Sequence, residues 1–440
     1  MQTNVRVILN GVGFRIMRLR GDGAWAISDQ FMVSAFSFII GIVIARMLGV
    51  AEFGKVALIL LLAAQAQTLQ DCMLAAPMMT LVGRRAKRTA SYFGAVVGWG
   101  LILSFTGGLV VATLVALLFL LRDGSVSYLL CFAALAMTAS QSLHSTARRL
   151  LFAQRRRQLA MLADFGRYAS LLLAVLLLRL GPEAARENAV VVLITMAGCA
   201  LMGPLTYLFS TERPRVSWRL MQKVILRHWP IAQWLILMIV ASIGQEQIVP
   251  IIITFTLGDA ALGGLRAGQY LVGSTHFILM AVSNYVPRRA AEAYAAGGSS
   301  QLSQYLSREM LVLGLPTVFL LLTLGIYAEF LLGKLFGSEY IQFAPILRVY
   351  CLSYTVIFVR DFWMYYLTSI EQTRATFEAF MLSSIFTVLS AYPAIRHEGI
   401  LGAALVVLAA NLISCAYILL AVCRQHHHLK FRASSLDQNA

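Results

Sequence analysis

The chain has 440 residues, of which 59% are hydrophobic and 13% charged, with a mean hydropathy of +0.75. A soluble domain is roughly a quarter charged and about half apolar, so a soluble globular enzyme is excluded and the solvent that fits is lipid. The formal net charge of +16 is carried mostly by Arg, and it fits either a nucleic-acid binder or a membrane protein with basic cytoplasmic loops. The placement of the charges decides between them.

A helix crosses a hydrocarbon core about 30 Å thick with roughly 20 apolar residues, and twelve such segments are predicted. The basic stretch 1–23 precedes them without a convincing cleavage site, so Ala24–Ala45 reads as a retained first helix. It carries Asp29, with Gln30, Ser34 and Ser37 on one face at i, i+4 and i+7. Phe53–Leu81 holds Gln67, Gln70 and Asp71 on one face, with Gln65 nearby. Tyr92–Leu121 and Val126–Thr146 follow, then Leu159–Leu178 with Arg167, and Ala189–Phe209. These make an N-terminal six-helix bundle, 24–209. A cytoplasmic linker, 210–229, leads to a C-terminal bundle, 230–423, and a cytoplasmic tail, 424–440. The second bundle contains Pro230–Phe255 with Gln245-Glu246-Gln247, and Ala267–Val286 with His276 and Asn284. After these come Met310–Leu332, Pro345–Leu367 with Arg360-Asp361, Thr376–Tyr392 and Ile400–Val422.

With the N-terminus placed inside, 25 of the 36 Lys and Arg fall in inner segments, 9 fall in outer loops and Arg167 and Arg360 lie deep in helices. This obeys the positive-inside rule and puts both termini in the cytoplasm, with no role for nucleic acid. The longest inner stretches are Ser210–Trp229 and Pro287–Glu309, the second expected to form a short interfacial helix. The longest outer loop is Gly333–Ala344, so nothing outside the bilayer is large enough for an enzyme domain. The six Cys lie in or beside apolar runs without a CxxC, and no disulfide framework is expected.

An internal repeat divides the chain. Leu48, Gly49, Ala51 and Gly54 after the first helix match Leu257, Gly258, Ala260 and Gly263 after the seventh, at an offset of 209 residues, and Phe53 matches Leu262. Both copies end the first helix of a six-helix half on the outer side. Six is even, so the repeat is parallel, and glycine supplies the tight turn between antiparallel helices.

Polar groups at bilayer depth cost about 2.5–3.5 kcal/mol each at a helix centre. They are expected either to line a polar cleft between helices 1, 2, 7 and 8 or to join helices by hydrogen bonds. The isolated carboxylates Asp29, Asp71 and Glu246 are candidates for ion coupling, with H+ or Na+ as the coupling ion. No other cofactor and no metal is expected. Gly49–Val56 imitates a Walker A loop but has Val56 where Ser or Thr would hold Mg2+.

The stretch ARMLGVAEFGKVAL sets Ala45, Arg46, Leu48, Gly49, Phe53, Gly54 and Leu58 on the pattern A-R-x-L-G-x-x-x-F-G-x-x-x-L. A basic connection, ARRLLFAQRRRQLAMLADFGR, follows the fourth helix. Both resemble bacterial polysaccharide flippases, the Wzx-type branch of the multidrug/oligosaccharidyl-lipid/polysaccharide exporter superfamily. The resemblance implies an all-α membrane fold of twelve helices in two pseudo-symmetric bundles around a cationic central cavity. It also implies transport of an undecaprenyl-diphosphate-linked oligosaccharide across the bacterial inner membrane. Arg46, Arg167, Arg266 and Arg360 are the candidates to hold the diphosphate, with Gln30, Gln67 and Gln245 as further substrate contacts. Membrane lipids, a polysaccharide polymerase and a chain-length regulator are the partners such a protein would have. Two alternatives stay open: a multidrug or cation extruder of the same superfamily, and a polysaccharide polymerase or O-antigen ligase.

Overall fold

The computed structural model describes residues 22–84, 90–210 and 216–437. Side chains of Asp29, Gln30, Gln245, Glu246, His276 and Asn284 lie outside the described ones. Within lipid every backbone N–H and C=O needs a partner inside its own segment, which selects helices, and no strand occurs among the described residues.

Twelve spanning helices are present among them. The first lobe contains α1 (22–48), α2 (50–84), α3 (Ala90–Asp123), α4 (Tyr128–Ala153), α5 (Arg157–Arg179) and α6 (189–210). The second contains α7 (218–257), α8 (259–296), α9 (299–335), α10 (Ala344–Ser369), α11 (373–398) and α12 (400–437). The apolar side chains left outward, such as Leu101, Phe105 and Leu109 on α3 or Leu315, Phe319 and Leu322 on α9, share one face of their helix and would meet lipid.

Helix boundaries differ from the hydropathy reading where glycine lets one helix turn directly into the next. Between α1 and α2 the whole reversal is made at Gly49 (φ 72°, ψ 173°), and between α7 and α8 at Gly258 (φ 84°, ψ −177°). The two repeated glycines share a conformation open to few other residues. Consequently α8 begins at Asp259, eight residues before Ala267, and Arg266 lies within the helix rather than in an outer loop. The interfacial helix expected over Pro287–Glu309 does not exist as a separate element. Instead α8 continues through it and turns into α9 at Gly297-Gly298.

The packing divides unevenly across the bilayer. One continuous apolar core joins both lobes, from Ile44, Leu48 and Phe53 to Leu262, Leu265, Tyr340 and Leu347. These residues lie at or near the helix ends that the placement of Lys and Arg assigns to the outer side. Two smaller cores remain separate at the opposite helix ends, one around Phe93, Leu150 and Tyr207 and the other around Val286, Phe362 and Tyr366. The lobes are therefore fused at one set of helix ends and, apart from α7, parted at the other.

Helix α7 departs from this division. Its first part lies on the other lobe, where Met221 and Val224 join the core around Phe93. Farther along, beyond Pro230, Gly244 packs against Ser384 of α11 in its own lobe.

Candidate functional site

The outer fusion is built by the repeat itself. A Cβ on Gly54 would overlap the carbonyl oxygen of Asp259, and a Cβ on Gly263 would overlap that of Val50. Gly54 and Gly263 are 209 residues apart, as are Val50 and Asp259. The two elbows thus pack backbone to backbone around a pseudo-twofold axis.

Each elbow is also capped by the opposite lobe. A helix end leaves its last carbonyls without intrahelical donors. Tyr340 of the second lobe donates its hydroxyl to Ala45 O at 3.0 Å, and Arg46 donates in return to Lys334 O at 3.2 Å. Arg122 of the first lobe donates to Thr254 O at 3.2 Å and forks onto the Asp259 carboxylate at 2.8 and 3.1 Å. Ala45 and Thr254 are again 209 apart. Outside this seal lies a vestibule of about 630 Å³ bordered by Glu52, Lys55, Arg122, Asp123 and Asp259.

Below the seal is a cavity of about 910 Å³. Helices α1 and α2 supply Ser34, Ser37, Phe38, Phe53 and Gln65, and α7 supplies Gln247 and Pro250. From α8 come Arg266, Gln269 and Tyr270, and from α10 Tyr350, Tyr354 and Arg360. Phe380 of α11 and Asn411 of α12 close the wall. The expected helices 1, 2, 7 and 8 are all represented, and helices 10, 11 and 12 join them.

Among the described lining residues there are two arginines and no carboxylate. The two arginines differ in how they are held. Arg360 turns Nε and Nη2 onto Asp361 Oδ1 at 3.1 and 2.9 Å, gives Nη1 to Asn411 Oδ1 at 3.1 Å, and lies over the Phe380 ring. Its charge is met within the protein. Arg266 donates Nη1 to Gln269 Oε1 at 2.9 Å, and Gln269 is fixed by donating to Tyr350 Oη at 3.0 Å. Its Nε is buried without a hydrogen-bond partner, and no carboxylate pairs with it among the described residues. One edge of the guanidinium is held and the other, Nε with Nη2, is open. A buried guanidinium without a counter-charge is costly, and the open edge has the fork geometry that takes an oxyanion in two parallel hydrogen bonds.

Other residues singled out from the sequence lie elsewhere. Arg46 belongs to the outer seal, where it is exposed and donates to Lys334 O. Arg167 stacks on Tyr168 in α5 and is not among the cavity-lining residues. Gln67 accepts from Gln141 at 3.0 Å inside the first lobe. Asp71 opens a π-helical turn, Asp71–Ala75, and accepts from Ser145 Oγ with both oxygens at 3.2 Å. The face shared by Gln67 and Asp71 is directed at α4 rather than at the cavity. Residues the sequence reading missed are Gln269, Tyr270, Tyr350, Tyr354 and Asn411. The signal for the first two was present, since they follow Arg266 at i+3 and i+4 once α8 is started at Asp259.

No model of a known protein family matches the chain, and no curated protein matches it in sequence. Solved structures do. The lipid II flippase MurJ in an inward closed conformation superposes with a TM-score of 0.69 at 11% identity, covering 91% of this chain and 87% of that one. An inward-facing multidrug resistance MATE family transporter of the MOP superfamily gives 0.67 at 12% identity, covering 94% and 97%. An outward-facing MATE family transporter gives 0.56 at 13% identity, covering 92% and 94%. The chain is thus a multi-pass membrane protein with the two-lobed fold of the MOP superfamily.

Proposed function

We propose that this protein is a flippase that carries an undecaprenyl-diphosphate-linked oligosaccharide from the inner to the outer leaflet of the bacterial inner membrane. Alternating access moves the headgroup through the cavity while the lipid tail stays in the bilayer, and the product feeds a surface polysaccharide such as O-antigen, capsule or exopolysaccharide. The observation that carries this reading is the open edge of Arg266 in a cavity whose described wall holds no carboxylate. A phosphate would occupy that edge, and Tyr270 and Tyr354, only partly buried in the cavity wall, offer ring faces for sugars. An inside-negative potential favours outward movement of the diphosphate by about 2.3 kcal/mol per charge per 100 mV. The neighbour MurJ is itself named a lipid II flippase.

The MATE neighbours favour a second reading, a multidrug extruder. A cationic drug needs an exposed carboxylate, and Asp361 is engaged by Arg360. A polymerase or ligase is disfavoured by the outer connection between α9 and α10, which is a short helical turn, Ser338–Phe343, folded into the seal. Binding to purified protein separates these readings. A short-chain polyprenyl-diphosphate sugar should stabilise it against heating, Arg266→Ala should abolish the effect, and a cationic dye should have none. Stabilisation by the dye, unchanged in Arg266→Ala, would support the extruder instead.

A further inference from the structure

We infer that the cytoplasmic end of α7 is a docking surface for anionic phospholipid of the inner leaflet. Residues 230–257 alone cover about 42 Å at a 1.5 Å rise, more than a hydrocarbon core about 30 Å thick. Residues 218–229 therefore lie at the membrane surface.

This segment is amphipathic in an unusual way. One face, Met221, Val224 and His228 at i, i+3 and i+7, is buried against the first lobe. Trp99 Nε1 donates to Met221 O at 2.8 Å. His228 lies with Nδ1 3.2 Å from Met73 O, to which it donates, leaving Nε2 to accept from the Tyr92 hydroxyl at 2.9 Å. The opposite face carries Arg219, Lys223 and Arg227 at i, i+4 and i+8, all exposed. None of the three has a carboxylate partner among the described residues, and no acidic residue occurs from Val216 to Gly244. Trp218 and Trp229, both exposed, flank the stripe, and Leu226 between them is 72% exposed.

Unpaired cations interleaved with Trp and Leu on a helix at the bilayer edge have the chemistry that recognises anionic headgroups over adjoining acyl chains. The segment runs on without a break into the second lobe and is seated on the first. Lipid bound to the stripe holds it in that seat and so stabilises the arrangement in which the cytoplasmic side is bridged.

The test uses the full chain in vesicles of phosphatidylcholine with or without phosphatidylglycerol. It compares wild type with R219Q/K223Q/R227Q and with a control that removes three other inner charges, R288Q/R289Q/R308Q. Lipid retained in native mass spectra and the thermal midpoint are read. Each base near an anionic surface is worth about fivefold in affinity. The triple variant should bind phosphatidylglycerol about 100-fold more weakly and lose the rise in midpoint that this lipid produces in wild type. The control, in which Arg288 is paired with Glu292 and Arg289 lies over the Tyr285 ring, should lose clearly less than the triple variant, and raised salt should weaken retention by wild type. Salt acts on wild type alone, so it remains decisive if the variant folds poorly. Retention by the triple variant equal to wild type, an equal loss in the control, indifference to salt, or preference for a polyprenyl diphosphate over phosphatidylglycerol would each overturn the inference.

Discussion

The carbonyl oxygen of Asp259 occupies the space that a side chain on Gly54 would need, and its counterpart Val50 does the same to Gly263. The outer seal is therefore a contact between two copies of one turn, with backbone against backbone at four positions. Opening the cavity outward means separating these elbows.

A methyl group at either glycine should pry the seal apart. Overpacking of this kind costs about 1–3 kcal/mol, borne by the sealed state alone. Gly54→Ala or Gly263→Ala should therefore increase outward accessibility by about 5- to 150-fold. The check is labelling of Ser37→Cys by an impermeant maleimide from the outer side, on a background without the native cysteines. Unchanged labelling would mean that the elbows do not gate the cavity.

The two caps should act independently and unequally. Arg122 makes charged hydrogen bonds worth about 1.5–3 kcal/mol, and the Tyr340 hydroxyl makes a neutral one worth about 0.5–1.5 kcal/mol. Arg122→Gln should open the seal more than Tyr340→Phe in the same labelling experiment. The double variant should approach the sum, because the caps share no partner.

Arg360 and Asp361 should behave as a pair that stabilises the second lobe. Removing one member leaves a buried charge without compensation, at about 3–5 kcal/mol. Asp361→Asn should lower the thermal midpoint by several degrees in detergent, and the double replacement Arg360→Met with Asp361→Asn should recover much of it. A midpoint unaffected by Asp361→Asn would show that Asn411 and Phe380 suffice to hold Arg360.

The hold on Arg266 predicts a graded series for ligand. Loss of the guanidinium in Arg266→Ala should weaken a diphosphate headgroup by about 10- to 100-fold. Arg266→Lys should retain part of the affinity, because an ammonium keeps the charge but not the fork. Tyr350→Phe frees Gln269 and should cost less than about tenfold, read as binding of the short-chain polyprenyl-diphosphate sugar.

The span count, the two halves and the repeat could be read in the sequence because lipid imposes length and the elbows impose glycine. What hydropathy could not show was that Gly258 makes the whole turn. With the start of α8 placed late, Arg266 fell among outer-loop charges and its companions Gln269 and Tyr270 went unnoticed. Arg46, the basic residue of the family-like motif, lies near the end of α1 and donates across the lobes to Lys334 O, a contact that no spacing in the sequence shows. Gln67 and Asp71 share a face, as their spacing requires, yet periodicity cannot say whether a face meets a cavity or a neighbouring helix. Here Gln141 and Ser145 of α4 meet it.

Transport itself tests the central claim most directly. The protein would be reconstituted into vesicles containing a fluorescent polyprenyl-diphosphate sugar, and the arrival of the headgroup at the opposite leaflet followed by its exposure to an impermeant quencher. Wild type should move the label across, and Arg266→Ala, folded by its thermal midpoint, should reduce the rate at least about tenfold. Equal rates for wild type and Arg266→Ala, or no flipping above protein-free vesicles, would contradict the account.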